Sequence, residues 1–361
     1  MKAITGYLKW HNDIIGVIYD HDCVEFINND LNAVVKTIAR GKNSWLPEEY
    51  KNFLSDRIVS RSRRDIERIL FRLKLCDYDI IKIAEKTCAF NSRDLFWISS
   101  SEHDKFEDKF AELFAGVFKI SLDESGESVI SPDGQNIKNY GVYKNKYGIF
   151  KKRLSGVMTD VESEIACYKL GVLLGVNVCP VWRVSDDVIF SEFLYDFNRE
   201  FIVHARRFFT DGERSPDLYA DLYVKFNNFT DDIDKMCVFD FITRQDDRHL
   251  SNFAIKIDDT GVSDFYPLYD NGRSLFFDDN PVTVNNAINN IIEYSTSFGE
   301  TGTYYDVVEE IAKHRKISGF VNLNICDDEI YKLLTESGFT DYRLEGGFKW
   351  ITGAINILKE M

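Results

Sequence analysis

The stretch that most limits what this chain can fold into runs from residue 232 to residue 272. It begins with DIDKMCVFDFITRQ, where Ile233, Met236, Cys237, Phe241 and Ile242 recur at the spacing of a buried helix. The polar segment DDRHLSN follows, then FAIKI, a turn at DDTG, and FYPLYD ahead of Asn271-Gly272. The pattern predicts a buried helix, a loop and a β-hairpin. Asp247 and Asn252 stand five residues apart in the loop, and Asp270 is expected to close the second strand. Two carboxylates and an amide brought together this way suit phosphoryl transfer. One carboxylate accepts or orients the acceptor hydroxyl. An amide oxygen and the second carboxylate can hold magnesium, a hard cation that takes oxygen ligands.

The upstream half has to supply the rest of such a site. VYKNKYGIFKKRL reads as a hairpin with its turn at Lys144 to Tyr147. Thr159 is expected to cap a helix, with Glu162 as its capping-box partner, running to about Gly175. Val161, Ile165, Tyr168 and Val172 fall on one face of that helix. CPVWRV and VIFSEF read as strands about a turn at Ser185 to Asp187. Near the N-terminus IIGVIYD and CVEFIN suit two short strands, and LNAVVKTIAR, RRDIERILFRLKL and DYDIIKIAEKTCAF suit helices. The C-terminal third is mainly helical, with NNAINNIIEYS, DVVEEIAKH and FKWITGAINILKE.

Charge and cysteine usage narrow the function class. A net charge of −15 argues against a nucleic-acid-binding surface, which needs an excess of Lys and Arg. The one basic cluster, from Arg57 to Arg72, reads as a solvated helix face entered through a capping box at Ser62 and Asp65. Seven scattered cysteines without a C-x-x-C pair fit reduced thiols in a cytoplasmic protein. The N-terminal residues offer neither a signal peptide nor a membrane span.

Asp247-Arg248-His249-Leu250-Ser251-Asn252-Phe253 resembles the catalytic loop of HipA-like serine/threonine kinases, and is also similar to the D-R-H-x-x-N loop of phosphatidylinositol-kinase-like enzymes. The resemblance covers roughly the last two-thirds of the chain. It implies an α+β, bilobal protein-kinase-like fold: an accessory region over 1–102, a small mixed β/α lobe over 103–192 and a mainly helical lobe over 193–361. It implies that Asp247 is the catalytic aspartate and Asn252 a magnesium ligand. Asp270, in Asp270-Asn271-Gly272, would correspond to the metal-binding aspartate of D-F-G. Lys151, with Lys152 as the alternative, would be the nucleotide lysine, and Glu164 its ion-pair partner. Adenine would meet the hinge at Ser191-Glu192-Phe193, and a phosphate-covering turn would lie at Asp133-Gly134, with Ser128 or Ser131 as autophosphorylation sites. His249 is expected to shape the loop; Arg248 is left open between a phosphate contact and solvent.

The implied cofactors are ATP and Mg2+. The implied acceptor is a cytosolic protein, an aminoacyl-tRNA synthetase or another translation component, with an antitoxin-like protein as partner. Two other readings stay open: a lipid or small-molecule kinase, and a pseudokinase that serves as a binding module. The acidic balance and the missing membrane anchor count against a lipid kinase.

Overall fold

A computed structural model describes residues 2–27, 38–39, 41–63, 66–91, 95–106, 108–109, 138–144, 146–196, 200–209, 218–258, 261, 263–295 and 302–361. Most of LNAVVKTIAR, Asp65, and the segment with Ser128, Ser131 and Asp133-Gly134 lie outside these residues. The chain forms two compact units. One comprises Met1–Lys152, Tyr195–Ile202 and Lys256–Ser263, and the other Arg153–Leu194, Val203–Ile255 and Asp264–Met361. The first division falls after Lys152, so the hairpin that carries Lys151 and Lys152 groups with the N-terminal residues.

The first unit carries a five-stranded antiparallel sheet of β1 (Ile4–Trp10), β2 (Asp13–Tyr19), β3 (Cys23–Phe26), β4 (Ser44–Trp45) and β5 (Phe96–Ser99), in the order β4-β3-β2-β1-β5. β2 and β3 are the two strands expected from the sequence; β1, β4 and β5 are additional. β1 hides in the sequence because Lys9 interrupts its apolar pattern. That lysine is buried, with its ammonium given to the Glu102 and Asp104 carbonyls. The bonds tie the chain beyond β5 back onto the sheet. Helices α1 (Pro47–Ser55), α2 (Ile66–Arg72) and α3 (Ile80–Thr87) accompany it. Trp10, Phe53, Phe90, Phe96 and Trp97 form an aromatic core.

The Arg57–Arg72 run is not one solvated face. Arg57 is buried and donates to the Ala89 carbonyl at 2.8 Å and to that of Phe96 at 2.5 Å. Arg63 is buried as well, while Arg61, Arg68 and Arg72 are exposed. Positions in the run therefore serve different purposes: Arg57 satisfies interior carbonyls, while Arg61, Arg68 and Arg72 face water. The hairpin of β6 (Lys138–Tyr143) and β7 (Lys146–Lys152) completes this unit. Its register, from Tyr143 opposite Lys146 to Lys138 opposite Lys151, makes the turn tighter than Lys144 to Tyr147.

The second unit begins with α4 (Asp160–Leu174), which ends at Gly175 with φ 72°. It continues through β8 (Val181–Ser185), β9 (Val188–Glu192), β10 (Glu200–His204, shared with the first unit), α5 (Leu218–Lys225) and α6 (Thr230–Thr243). β11 (Ala254–Asp258) and β12 (Ser263–Phe265) follow, both likewise shared with the first unit. The remainder is α7 (Pro281–Ile288), α8 (Tyr304–His314), α9 (Asp327–Ser337) and α10 (Asp341–Glu360). α6 is buried along almost its whole length and packs on α8 and α10, where Trp350 donates its indole N–H to the Phe241 carbonyl at 3.1 Å.

Two expectations about α4 are corrected. Thr159 makes no side-chain cap bond, and Glu162 is not a capping-box partner. Glu162 instead takes a two-pronged pair of bonds from Arg153, at 2.6 and 2.8 Å, and a third from Arg183 at 3.4 Å. α4 is also buried on nearly all sides through Cys167. Val161 and Ile165 face the core, but Val172 is 65% exposed, so the helix has no single apolar stripe.

Candidate active site

The loop after α6 is set by the way the helix stops. Arg244 takes the left-handed conformation, φ 50°, and its backbone N–H returns to the Asp240 and Phe241 carbonyls. Its guanidinium pairs with Asp279 at 2.8 Å and lies over the rings of Phe276 and Tyr294 at 4.4 and 4.8 Å. Gln245, fully buried, follows, and then the chain turns through Asp246 and Asp247. His249 N–H donates to the Asp247 carbonyl and Asn252 N–H to the His249 carbonyl, each at 2.8 Å. The Asn252 side chain closes the loop by donating Nδ2 to the Asp247 carbonyl at 2.6 Å. Five residues of spacing thus become direct contact between the loop's two chemically interesting members.

Arg248 meets neither solvent nor a phosphate-facing surface. It is 0% exposed and forms an ion pair with Asp240, equally buried, at 3.0 Å. The same guanidinium donates to the carbonyls of Asn252 at 2.8 Å and Tyr269 at 2.9 Å, and to Asn271 Oδ1 at 2.6 Å. One planar donor fork therefore holds α6, the loop and the Tyr269–Asn271 segment together. Burial alone would favour the uncharged arginine, but Asp240 more than offsets it and holds the pKa above the ordinary value. His249 keeps its expected bond, accepting from Ser251 N–H through Nδ1 at 3.1 Å, but the ring is exposed and not packed.

Asp270 does not close a strand. β12 ends at Phe265, and the chain then crosses to pair Leu268 with Val178 in a single parallel bridge. Asp270 itself is left-handed, φ 58°, a conformation that turns the chain sharply and that Asp tolerates better than most residues. The turn is held from three sides: Arg248 on the Tyr269 carbonyl, Gln245 Nε2 on the Asp270 carbonyl at 3.3 Å, and Glu164 Oε2 accepting from Asn271 N–H at 3.2 Å. The N-terminal turn of α4 is stitched on nearby, where Ser163 Oγ donates to the Ser274 carbonyl at 2.8 Å and Thr159 N–H to that of Phe277 at 2.9 Å.

Asp247, Asn252, Asp270 and Glu164 all belong to the second unit and converge on this network. Lys151 lies in the first unit, near the end of β7; its side chain is buried, whereas that of Lys152 is exposed. Glu192 ends β9 with its N–H on the Pro180 carbonyl at 3.0 Å, and Phe193 follows just before Leu194, whose N–H donates to the Tyr266 hydroxyl at 3.0 Å. Asp240, Gln245 and Arg273 were not singled out by sequence. Arg273 reaches Asp246 at 3.0 Å and Asp247 at 3.9 Å. Burial raises the pKa of Asp246, and Arg273 works against that rise. The signal that could have exposed Asp240 and Gln245 was polarity at the buried end of α6.

The donor set fits magnesium carried in by a nucleotide. Asn252 spends its amide N–H on the loop, so Oδ1 is the atom it could offer a hard cation, and Asp270 could offer a carboxylate. Among the described residues no group of three or more His, Cys, Asp or Glu could hold a metal by itself. Nucleotide-borne magnesium needs none, because phosphates and water complete its shell.

No protein-family model matches the chain, and no curated protein matches it. Solved structures do. The proinflammatory kinase CtkA of Helicobacter pylori matches with a TM-score of 0.48 and 14% identity, over 62% of this chain and 90% of its own. HipA of Shewanella oneidensis MR-1, solved with HipB and operator DNA as a toxin–antitoxin system, matches with a TM-score of 0.53 and 12% identity, over 99% of this chain and 100% of its own. The likeness to HipA, spanning both chains in full, shows that this chain has the α+β fold of HipA-like kinases.

Proposed function

We propose that the protein is an ATP- and magnesium-dependent serine/threonine kinase of HipA-like type that acts on a cytosolic protein. The observation that carries this reading is the Arg248 network, which holds the loop of Asp247 and Asn252 beside the turn of Asp270 through the Asn252 and Tyr269 carbonyls. In the proposed reaction Asp247 accepts the proton of a seryl or threonyl hydroxyl as its oxygen bonds to the γ-phosphorus. The bond from that phosphorus to the departing ADP oxygen breaks. Magnesium held by Asn252 and Asp270 would neutralise charge on the phosphates. Lys151 would meet the α- and β-phosphates, with Glu164 as its partner, and the backbone at Glu192 and Phe193 would meet adenine.

HipA's association with HipB supports an antitoxin-like protein partner here, and a translation component such as an aminoacyl-tRNA synthetase is the acceptor class proposed. With a net charge of −15, contact with DNA would belong to that partner. Among the described residues no helix is long and apolar enough to cross a membrane.

Labelled γ-phosphate from ATP, offered with magnesium to cell lysate and to phosphoinositide vesicles, tests the acceptor class. Label on serine or threonine of a lysate protein is expected. Label confined to lipid would replace the reading with a lipid kinase, and ATP binding without any transfer would replace it with a binding module.

A further inference from the structure

Gln245 stands between the two candidate acidic residues and is bonded to both. Its side chain is fully buried, with Oε1 accepting from the Asp247 N–H at 3.0 Å and Nε2 donating to the Asp270 carbonyl at 3.3 Å. Its backbone is clamped as well. The N–H donates to the Asp240 carbonyl at 3.0 Å, and the carbonyl accepts the hydroxyl of Tyr304, itself buried, at 3.0 Å. The side chain therefore leaves a fixed point and spans from the loop to the metal-side turn.

We infer that Gln245 is the positioning residue that sets the spacing between Asp247 and Asp270. This rests on the kinase reading of those two carboxylates. The chemistry of the residue type explains the choice. The span requires an acceptor and a donor on one planar, uncharged group, and the glutamine amide offers both at any pH. Glutamate keeps the shape and the acceptor but turns a lone pair toward the Asp270 carbonyl. Methionine keeps the length and loses both bonds. Asparagine is a methylene short. Because Asp270 sits in a left-handed turn, the direction in which its side chain leaves the chain is set by its backbone, and the Gln245 bond is one of the three that hold that backbone.

The test is the magnesium dependence of nucleotide binding, read with a fluorescent ATP analogue, together with turnover read as ADP formation. Gln245→Met and Gln245→Glu are compared with wild type below their own melting temperatures, and Asp270→Ala serves as the reference for the site itself. The magnesium concentration for half-saturation is expected to rise about tenfold or more in both Gln245 variants, as it does when outer-shell partners of metal ligands are removed. Turnover is expected to fall in parallel, with nucleotide affinity at saturating magnesium nearly unchanged. A purely structural role would lower the melting temperature and leave the half-saturation point alone. If Asp270→Ala shifts magnesium dependence while both Gln245 variants match wild type, the positioning inference is wrong and the site stands. If Asp270→Ala itself shifts nothing, the kinase reading of the site fails.

Discussion

Asp160 is the residue whose environment most directly predicts a pH dependence. It opens α4 as a buried carboxylate, receiving the Leu154 N–H at 3.2 and 3.4 Å. Burial pushes its pKa up from 3.8 to about 6, against the pull of the backbone N–H groups and Arg153. A raised folded-state value means that the folded protein keeps a proton that the unfolded chain has lost between those two pH values. Its contribution to stability therefore falls as pH rises from about 4 to about 6 and stays low above that. Asp160→Asn keeps an acceptor for Leu154 and cannot ionise. Urea denaturation of the variant should show it gaining on wild type across that window, by about 2–3 kcal/mol at neutral pH. A difference that does not change with pH would show that Asp160 ionises freely in the folded protein.

At the scale of elements, the Arg248–Asp240 pair joins α6 to the loop and to the turn at Asp270. Removing the aspartate strands a buried guanidinium, and breaking such pairs from one side typically costs about 3–5 kcal/mol. Asp240→Ala is expected to lose that much in urea denaturation; a loss under about 1 kcal/mol would mean that the pair is solvated in solution. The loop between α6 and β11 was legible in the sequence because Ile233, Met236, Cys237, Phe241 and Ile242 repeat at helical spacing and DDRHLSN interrupts them sharply. The β8 and β9 turn was legible for the same local reason. The placement of Asp270 was not. FYPLYD has a strand's composition, but the chain leaves β12 at Phe265 to meet Val178, a distant partner that no local pattern announces. Glu162 misled in a similar way: its spacing from Thr159 is that of a capping box, but Arg153 and Arg183 are stronger partners for a carboxylate than a backbone N–H.

At the scale of the whole molecule, the helical C-terminal part could be read from periodicity and the α+β class from the resemblance of the loop, whereas only β2 and β3 of the N-terminal sheet could be read. Its strand β1 contains a lysine whose burial makes sense only once the Glu102 and Asp104 carbonyls are in place. The chain has the fold of a kinase, and its second unit gathers Asp247, Asn252 and Asp270 into one bonded network. The kinase reading assigns phosphoryl transfer to this network. The most direct measurement is the rate of γ-phosphate transfer from ATP in the presence of magnesium, comparing wild type with Asp247→Ala and Asp270→Ala. Transfer by wild type and a loss of about two orders of magnitude or more in each variant are expected. Variants that fold and transfer phosphate at the wild-type rate would contradict that reading.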